Sequence, residues 1–126
     1  MKDFHKLKVW EKAHQLTLSI YHITKEFPKD ELYGLTSQMR RACASIPTNI
    51  AEGCGRDSQG ELNRFLYFSM GSSSELEYQL ILAHDLNYLD EKAFQDLSSE
   101  LNEVRRMLNS LIQKVKLDGG IHSANR

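Results

Sequence analysis

An all-α fold, an antiparallel up-down-up-down four-helix bundle, is what this sequence predicts, and three observations predict it. Four segments carry apolar residues at alternating steps of three and four. The breaks between them are short, which makes consecutive helices antiparallel neighbours. No stretch alternates apolar and polar residues with the period of a strand. A chain of 126 residues is about one domain, able to bury on the order of two thirds of its unfolded surface without help from a disulfide or a metal. That domain is expected over residues 1–118, with 119–126 as a flexible tail.

The first helix is marked by Val9, Ala13, Leu16, Ile20, Ile23 and Phe27, a bundle seam that Pro28 ends. The second begins between Asp30 and Thr36, either of which can cap it, and runs to Gly53, with Gly53 and Gly55 as stop signals. Pro47 lies inside it and has no amide to donate to the Cys43 carbonyl. A kink near Pro47 is therefore expected, with a hydroxyl or water taking up the freed carbonyl.

The third helix opens on Ser58-Gln59-Gly60-Glu61, a capping box in which Ser58 accepts from the Glu61 amide and the Glu61 carboxylate reaches back. Leu62, Leu66, Leu76, Leu80 and Ala83 form its apolar stripe to about Tyr88. Ser69 and Ser73 continue that stripe, so Gly71 to Ser74 reads as a small-residue patch within a helix; the alternative is a break there, given the helix cost of Gly and Ser. If the hairpin turns at Gly55, Ala42 and Ala44 fall level with Ser69, small against small. The fourth helix starts near Asp90, and Phe94, Leu97, Leu101, Val104, Leu108, Leu111 and Val115 carry its stripe to the Gly119-Gly120 pair.

The charged fraction of 26%, the hydrophobic fraction of 40% and the formal net charge of -1 fit a soluble globular protein with no overall attraction to nucleic acid or anionic membrane. The distribution of charge says more. From Phe65 to Val104 one basic residue, Lys92, stands against eight acidic ones, whereas Arg105, Arg106, Lys114 and Lys116 make the end of the last helix basic. Lys2, Lys6, Lys8 and Lys12 do the same at the start of the first. In an up-down bundle those two regions share an end, so a basic end and an acidic waist are expected. One reading is a solvated surface with cations suited to a helix C-terminus; the other is a nucleic-acid contact that includes Lys6 and Lys12.

Chemistry that depends on spacing finds little here. A di-iron bundle needs Glu-x-x-His on two helices, and only Glu11-Lys12-Ala13-His14 fits, with Ala13 on the core seam and its companions off it. Cys43 and Cys54, on one helix, are separated by roughly 16 Å along its axis, well beyond the roughly 7 Å span of a disulfide. Neither has a histidine placed by sequence to activate it. GCGRDSQG follows no strand and precedes no phosphate-binding lysine. No catalytic residue, metal or cofactor is assigned, and the chain is read as non-enzymatic. MKDFHKLKVW has no signal-peptide character and no apolar run approaches a membrane span, so the cytoplasm is the expected compartment.

The polar residues of RRACASIPTNIAEGCGR stand out against that background. Arg40 and Arg41 point about 100° apart, so one faces a neighbouring helix and the other faces outward. Glu75 on the third helix is a candidate salt-bridge partner, and a phosphate is the alternative ligand. Asn49, Glu52 and Arg56 can form one polar stripe, with Glu52 and Arg56 in the favourable order for an ion pair. That stripe reads either as a surface pair or as part of an interface. Arg40, Arg41, Arg56 and Arg64 are thus the candidate nucleic-acid contacts, and Asn49, Glu52 and Glu75 the candidate structural groups.

Three segments, LKVWEKAHQLTLSIYHITKEFP, ELYGLTSQMRRACASIPTNIAEGCGR and ELNRFLYFSMGSSSELEYQL, in this order and spacing, make the chain resemble a known family over Phe4 to Leu117. SIPTNIAEG and GSSSELE are its most specific parts. The family is the four-helix-bundle proteins named for the intervening sequences of bacterial 23S ribosomal RNA. The resemblance implies a bundle that assembles as a homopentamer and an association with RNA. A related branch, the accessory protein of diversity-generating retroelements, is similar in fold and assembly and binds nucleic acid, DNA or RNA, beside a reverse transcriptase. The competing class of function is a structural or protein-interaction oligomer with an unidentified protein partner.

Overall fold

Four α-helices carry the chain: α1 Lys8–Ile23, α2 Leu35–Cys54, α3 Gln59–Asp85 and α4 Glu91–Ala124, with 3-10 turns at Phe4–Lys6, Thr24–Glu26 and Lys29–Glu31. The computed structural model describes residues 2–124, and side chains as far as residue 119. No strand occurs among the described residues. Each helix packs on its neighbours in chain order, with α2 on α3 the most extensive contact and α1 closing the ring against α4.

The seam of α1 is buried as its spacing demands, with Ala13, Leu16 and Ile20 at or near zero exposure. Along α4 the buried series is Leu97, Leu101, Val104, Leu108, Ile112 and Val115. Leu111, which the stepping pattern selects, is only half-buried, and Ile112 takes the core position instead. A straight helix turns 3.6 residues per turn, so a strict three-four series drifts off the core face over its length. In α3, Ser69 and Ser73 are fully buried in line with Leu66 and Leu76, and the helix runs unbroken through Gly71 to Ser74.

Besides α1 and α3, whose α-helical parts end at Ile23 and Asp85, a few residues short of Phe27 and Tyr88, the helix ends differ from expectation in three places. Neither Asp30 nor Thr36 caps α2. Gly34 occupies that position, and the Glu31 carboxylate accepts from the Leu35 amide at 3.2 Å while the Tyr88 hydroxyl donates to its other oxygen at 2.8 Å. One acid therefore serves the start of α2 and ties it to the loop before α4. At α3 only half of the capping box is present. Ser58 accepts from the Glu61 amide at 3.1 Å, but the Glu61 carboxylate turns to Arg64 at 3.4 Å.

The third difference is at the end of α4, which continues through Gly119 to Ala124 where a tail was expected from residue 119. A glycine lowers helix stability by only about 1 kcal/mol relative to alanine. At Gly119 a Cβ would lie 3.9 Å from Cβ of Gln59, so α4 is still beside the start of α3 there. Residues 125–126 lie outside the described part. The α3–α4 junction is closed by Asn87, whose φ of 64° is the left-handed conformation that Asn tolerates, and by the Tyr88 amide donating to the Ala83 carbonyl at 2.9 Å.

Pro47 sits inside α2. The Cys43 carbonyl that it leaves free lies 3.4 Å from the Thr17 hydroxyl of α1, which also reaches the Ala13 carbonyl at 2.8 Å. Across the α2–α3 hairpin the Ser69 hydroxyl donates to the Ile46 carbonyl at 2.8 Å, and Ser45 bonds to Ser72. The midpoint of each pair falls beside Ser58, not at Gly55. Ser69 therefore faces Ile46, about three residues along from the Ala42 and Ala44 that a turn at Gly55 would place there.

Candidate functional site

The two adjacent arginines divide as their angular separation requires. Arg40 turns toward α1: its Nε donates to Thr24 Oγ1 at 2.9 Å and one Nη donates to the Tyr21 carbonyl at 3.3 Å. Thr24 in turn donates to the Ile20 carbonyl at 2.7 Å. Carbonyls in the last turn of a helix lack intrahelical partners and carry the negative end of its dipole, so a guanidinium from α2 is a fitting cap for α1. The same guanidinium lies 5.0 Å from the Tyr21 ring centroid, in cation–π contact.

Arg41 points outward and is exposed. Neither arginine is within ion-pair distance of a carboxylate among the described residues; in particular, the expected bridge to Glu75 does not form. Arg40 is committed to α1, and Glu75 accepts from Gln79 one turn further along α3 at 3.1 Å. Between α1 and α2, Arg40 and Arg41 line an open groove of about 630 Å³ with Tyr21, Leu32, Tyr33, Ser37, Ala44, Ser45 and Thr48. That lining contains two cations and no acid. Tyr33 on its rim is 93% exposed.

Asn49 is half-buried and donates to the Ser45 carbonyl at 2.8 Å, a local bond within α2. Glu52 is exposed, and the expected pair with Arg56 is not made. The reason is the end of the helix: α2 stops at Cys54, so Arg56 leaves the helical path and its guanidinium stacks on Phe65 of α3 at 4.7 Å. Arg64 joins the same cluster, 5.7 Å from Phe65 and 5.4 Å from Phe68. Arg56 and Arg64 thus share one aromatic patch at the α2–α3 turn, while Arg40 and Arg41 stand in the groove toward the other end of α2.

The expected basic end exists as a place. The Lys2 amide donates to the Cys54 carbonyl at 3.0 Å, which ties the start of the chain to the end of α2, and Lys116 of α4 lies 5.4 Å from the Tyr67 ring of α3. Lys6 is exposed there. Lys12 is not free: it pairs with Glu103 of α4 at 3.3 Å across a cleft that Glu11 and Glu100 also line. Burial pushes the Glu100 carboxyl up, and its neighbours Asp96 and Glu103 push the same way while Lys12 opposes them. Arg105, counted with the basic end, instead bridges to α3 through Glu77 at 3.0 Å and Ser74 at 3.3 Å.

Cys43 is wholly buried, and burial pushes its thiol up to about 12, which leaves it a thiol at neutral pH. His14, the sole histidine in the Glu-x-x-His motif, stacks on Trp10 at 5.3 Å with the rings nearly parallel. Among the described residues no three His, Cys, Asp or Glu side chains gather at metal-binding distance. Tyr21, Thr24 and Tyr33 contribute to the site or its frame and stand out by no signal in the sequence. Their roles depend on which helix lies opposite, and no spacing within one segment carries that information.

The fold and these residues can be set beside known proteins. No curated protein matches the chain. Among solved structures it is similar to the crystal structure of a protein of unknown function from the S23 ribosomal protein family of Bacteroides thetaiotaomicron VPI-5482. The two are 22% identical with a TM-score of 0.78, over 83% of this chain and 95% of that one, a likeness of fold. Residues 5–110 match the family model described as 23S rRNA-intervening sequence protein. Spanning most of the bundle, that match shows that the chain belongs to the 23S rRNA-intervening sequence protein family.

Proposed function

We propose that this protein is a non-enzymatic, self-associating bundle that binds nucleic acid through exposed arginines. The observation that carries this reading is the α1–α2 groove, lined by Arg40 and Arg41 and by no carboxylate. A net charge of -1 does not oppose it, because binding follows the local field and not the total. Arg56 beside Phe65 and Lys6 at the chain-end face supply further cations. Arg64, paired with Glu61, and Lys12, paired with Glu103, are weaker contributors. The cytoplasm is the proposed compartment; no described helix is long and apolar enough to cross a membrane.

Binding of a labelled structured RNA is expected at low salt, falling linearly in log affinity with log salt in proportion to the phosphates neutralised. Arg41→Ala and Arg56→Ala should each reduce that slope by about one contact's worth, about 0.7–0.9. A gel-shift or anisotropy titration at two salt concentrations measures this, and absence of binding at low salt sinks the proposal. The second reading, a structural or protein-interaction oligomer, draws on the outer stripe of α3. Tyr67, Gly71, Ser74, Tyr78 and Ile81 repeat at steps of four and three on the exposed face, with Tyr78 61% and Ile81 44% exposed. A homopentamer is the proposed assembly, following the family resemblance.

A further inference from the structure

We propose that the α1–α2 groove receives an unpaired nucleobase, so that the strand bound there is single-stranded, with Tyr33 as the stacking face and Arg41 as the phosphate contact. This deepens the nucleic-acid reading and rests on it. A volume of about 630 Å³ lies within the range of roughly 300–1,000 Å³ typical of sites for small organic groups, so a base has room. A base needs a flat apolar face and a cation near its backbone, and both are at hand.

Tyr33 is 93% exposed, so the fold itself makes almost no use of its ring. An exposed aromatic ring alone is ordinary. Here it lines the same groove as a second aromatic wall, Tyr21 with the Arg40 guanidinium over it at 5.0 Å, which is already held in place. Arg40 is fixed by Thr24 and the Tyr21 carbonyl, so that wall needs little ordering when a ligand arrives. Arg41 is exposed and without a carboxylate, free to meet a phosphate.

Duplex excludes itself on chemical grounds. Its bases are stacked on one another and offer only edges in the grooves, whereas an unpaired base exposes a face that an aromatic side chain can cover. Two cations and no acid in the lining suit a polyanion such as a nucleic-acid strand.

The test uses the full chain and fluorescence anisotropy at low salt, with a short labelled oligothymidylate or oligouridylate compared with a hairpin duplex of similar length. Single strand is expected to bind more tightly than duplex. Tyr33→Ala should weaken single-strand binding about tenfold or more, the size of one lost base–aromatic stack, while Tyr33→Phe keeps it. Far-UV circular dichroism and Tm should be unchanged in both variants. Arg41→Ala should lower the single-strand salt slope by about 0.7. Equal binding of duplex and single strand, or no effect of Tyr33→Ala, overturns the base-stacking inference; if Arg41→Ala and Arg56→Ala still weaken both ligands, the broader reading survives it. No binding of either ligand removes both.

Discussion

Arg40 and Arg41 are adjacent in sequence and opposite in use. Arg40 caps the last turn of α1, so its removal would take one donor from the Tyr21 carbonyl, which the Thr24 hydroxyl also reaches at 3.3 Å, and the guanidinium donor from Thr24 Oγ1. Arg41 touches no carboxylate and is the better probe of ligand binding. That one of the two would turn inward is legible from the 100° step of a helix; that it would choose Thr24 and not Glu75 is not, because Thr24 lies on another element. Glu100 gives a prediction in pH. Its carboxyl is raised from the ordinary 4.5, chiefly by partial desolvation of a side chain that is still largely exposed at the mouth of the Lys12 cleft, so the folded state binds the proton more tightly than the unfolded chain. Ionised Glu100 therefore opposes folding at neutral pH, and the penalty disappears as pH falls through the folded value to below 4.5. Glu100→Gln should accordingly be slightly more stable than the parent at neutral pH, by less than about 0.5 kcal/mol for so exposed a group, with the advantage lost in acid. Thermal melts across that range would show it, and an advantage that grows on acidification would contradict the assignment.

Among the helices, α3 departs most from a simple amphipathic pattern, and its two faces explain why. The inner stripe of Leu62, Leu66, Ser69, Ser73, Leu76 and Leu80 is buried, and small residues at its centre let α2 approach closely enough for Ser69 to reach the Ile46 carbonyl. The outer stripe adds Tyr67, Tyr78 and Ile81 on the solvent side. Close approach also governs the end of α2. A Cβ on Gly53 would stand 3.0 Å from Cβ of Phe65 and 3.1 Å from the Leu62 carbonyl oxygen, neither of which can swing away. Gly53→Ala should lower stability by about 1–2 kcal/mol in denaturant unfolding, overpacking outweighing the better helix propensity of Ala. A neutral or stabilising result would mean that α2 and α3 are looser than described. Gly53 and Gly55 read in sequence as stop signals, and α2 does end there, at Cys54 with Gly55 as its C-cap. Gly53 serves contact as well, because lack of a side chain suits both purposes.

For the molecule as a whole, the up-down order brings the start of α1, the α2–α3 turn and the end of α4 to one end, and sets the arginine groove along α2, from Tyr21 of α1 to Ser45, which bonds to Ser72 of α3. Self-association through the outer α3 stripe is expected to show in multi-angle light scattering as a mass several times that of the 14.5 kDa chain. Gly71 is the place to interrupt it: no atom lies within 4 Å of a Cβ there, so Gly71→Leu should reduce the oligomer while leaving the fold intact. A monomer at micromolar concentration for the parent chain would end that proposal. Helix number, helix faces and order were readable from the residues, since the three-four repeat of apolar side chains is a property of each segment alone. Partners across helices were not: a hairpin centred at Ser58 in place of Gly55 moves the residue facing any given position by about six residues, well over a full turn. For that reason Ser69 met Ile46, Arg40 met α1, Arg56 met Phe65, and the groove beside Tyr33 came into view only once the helices were packed.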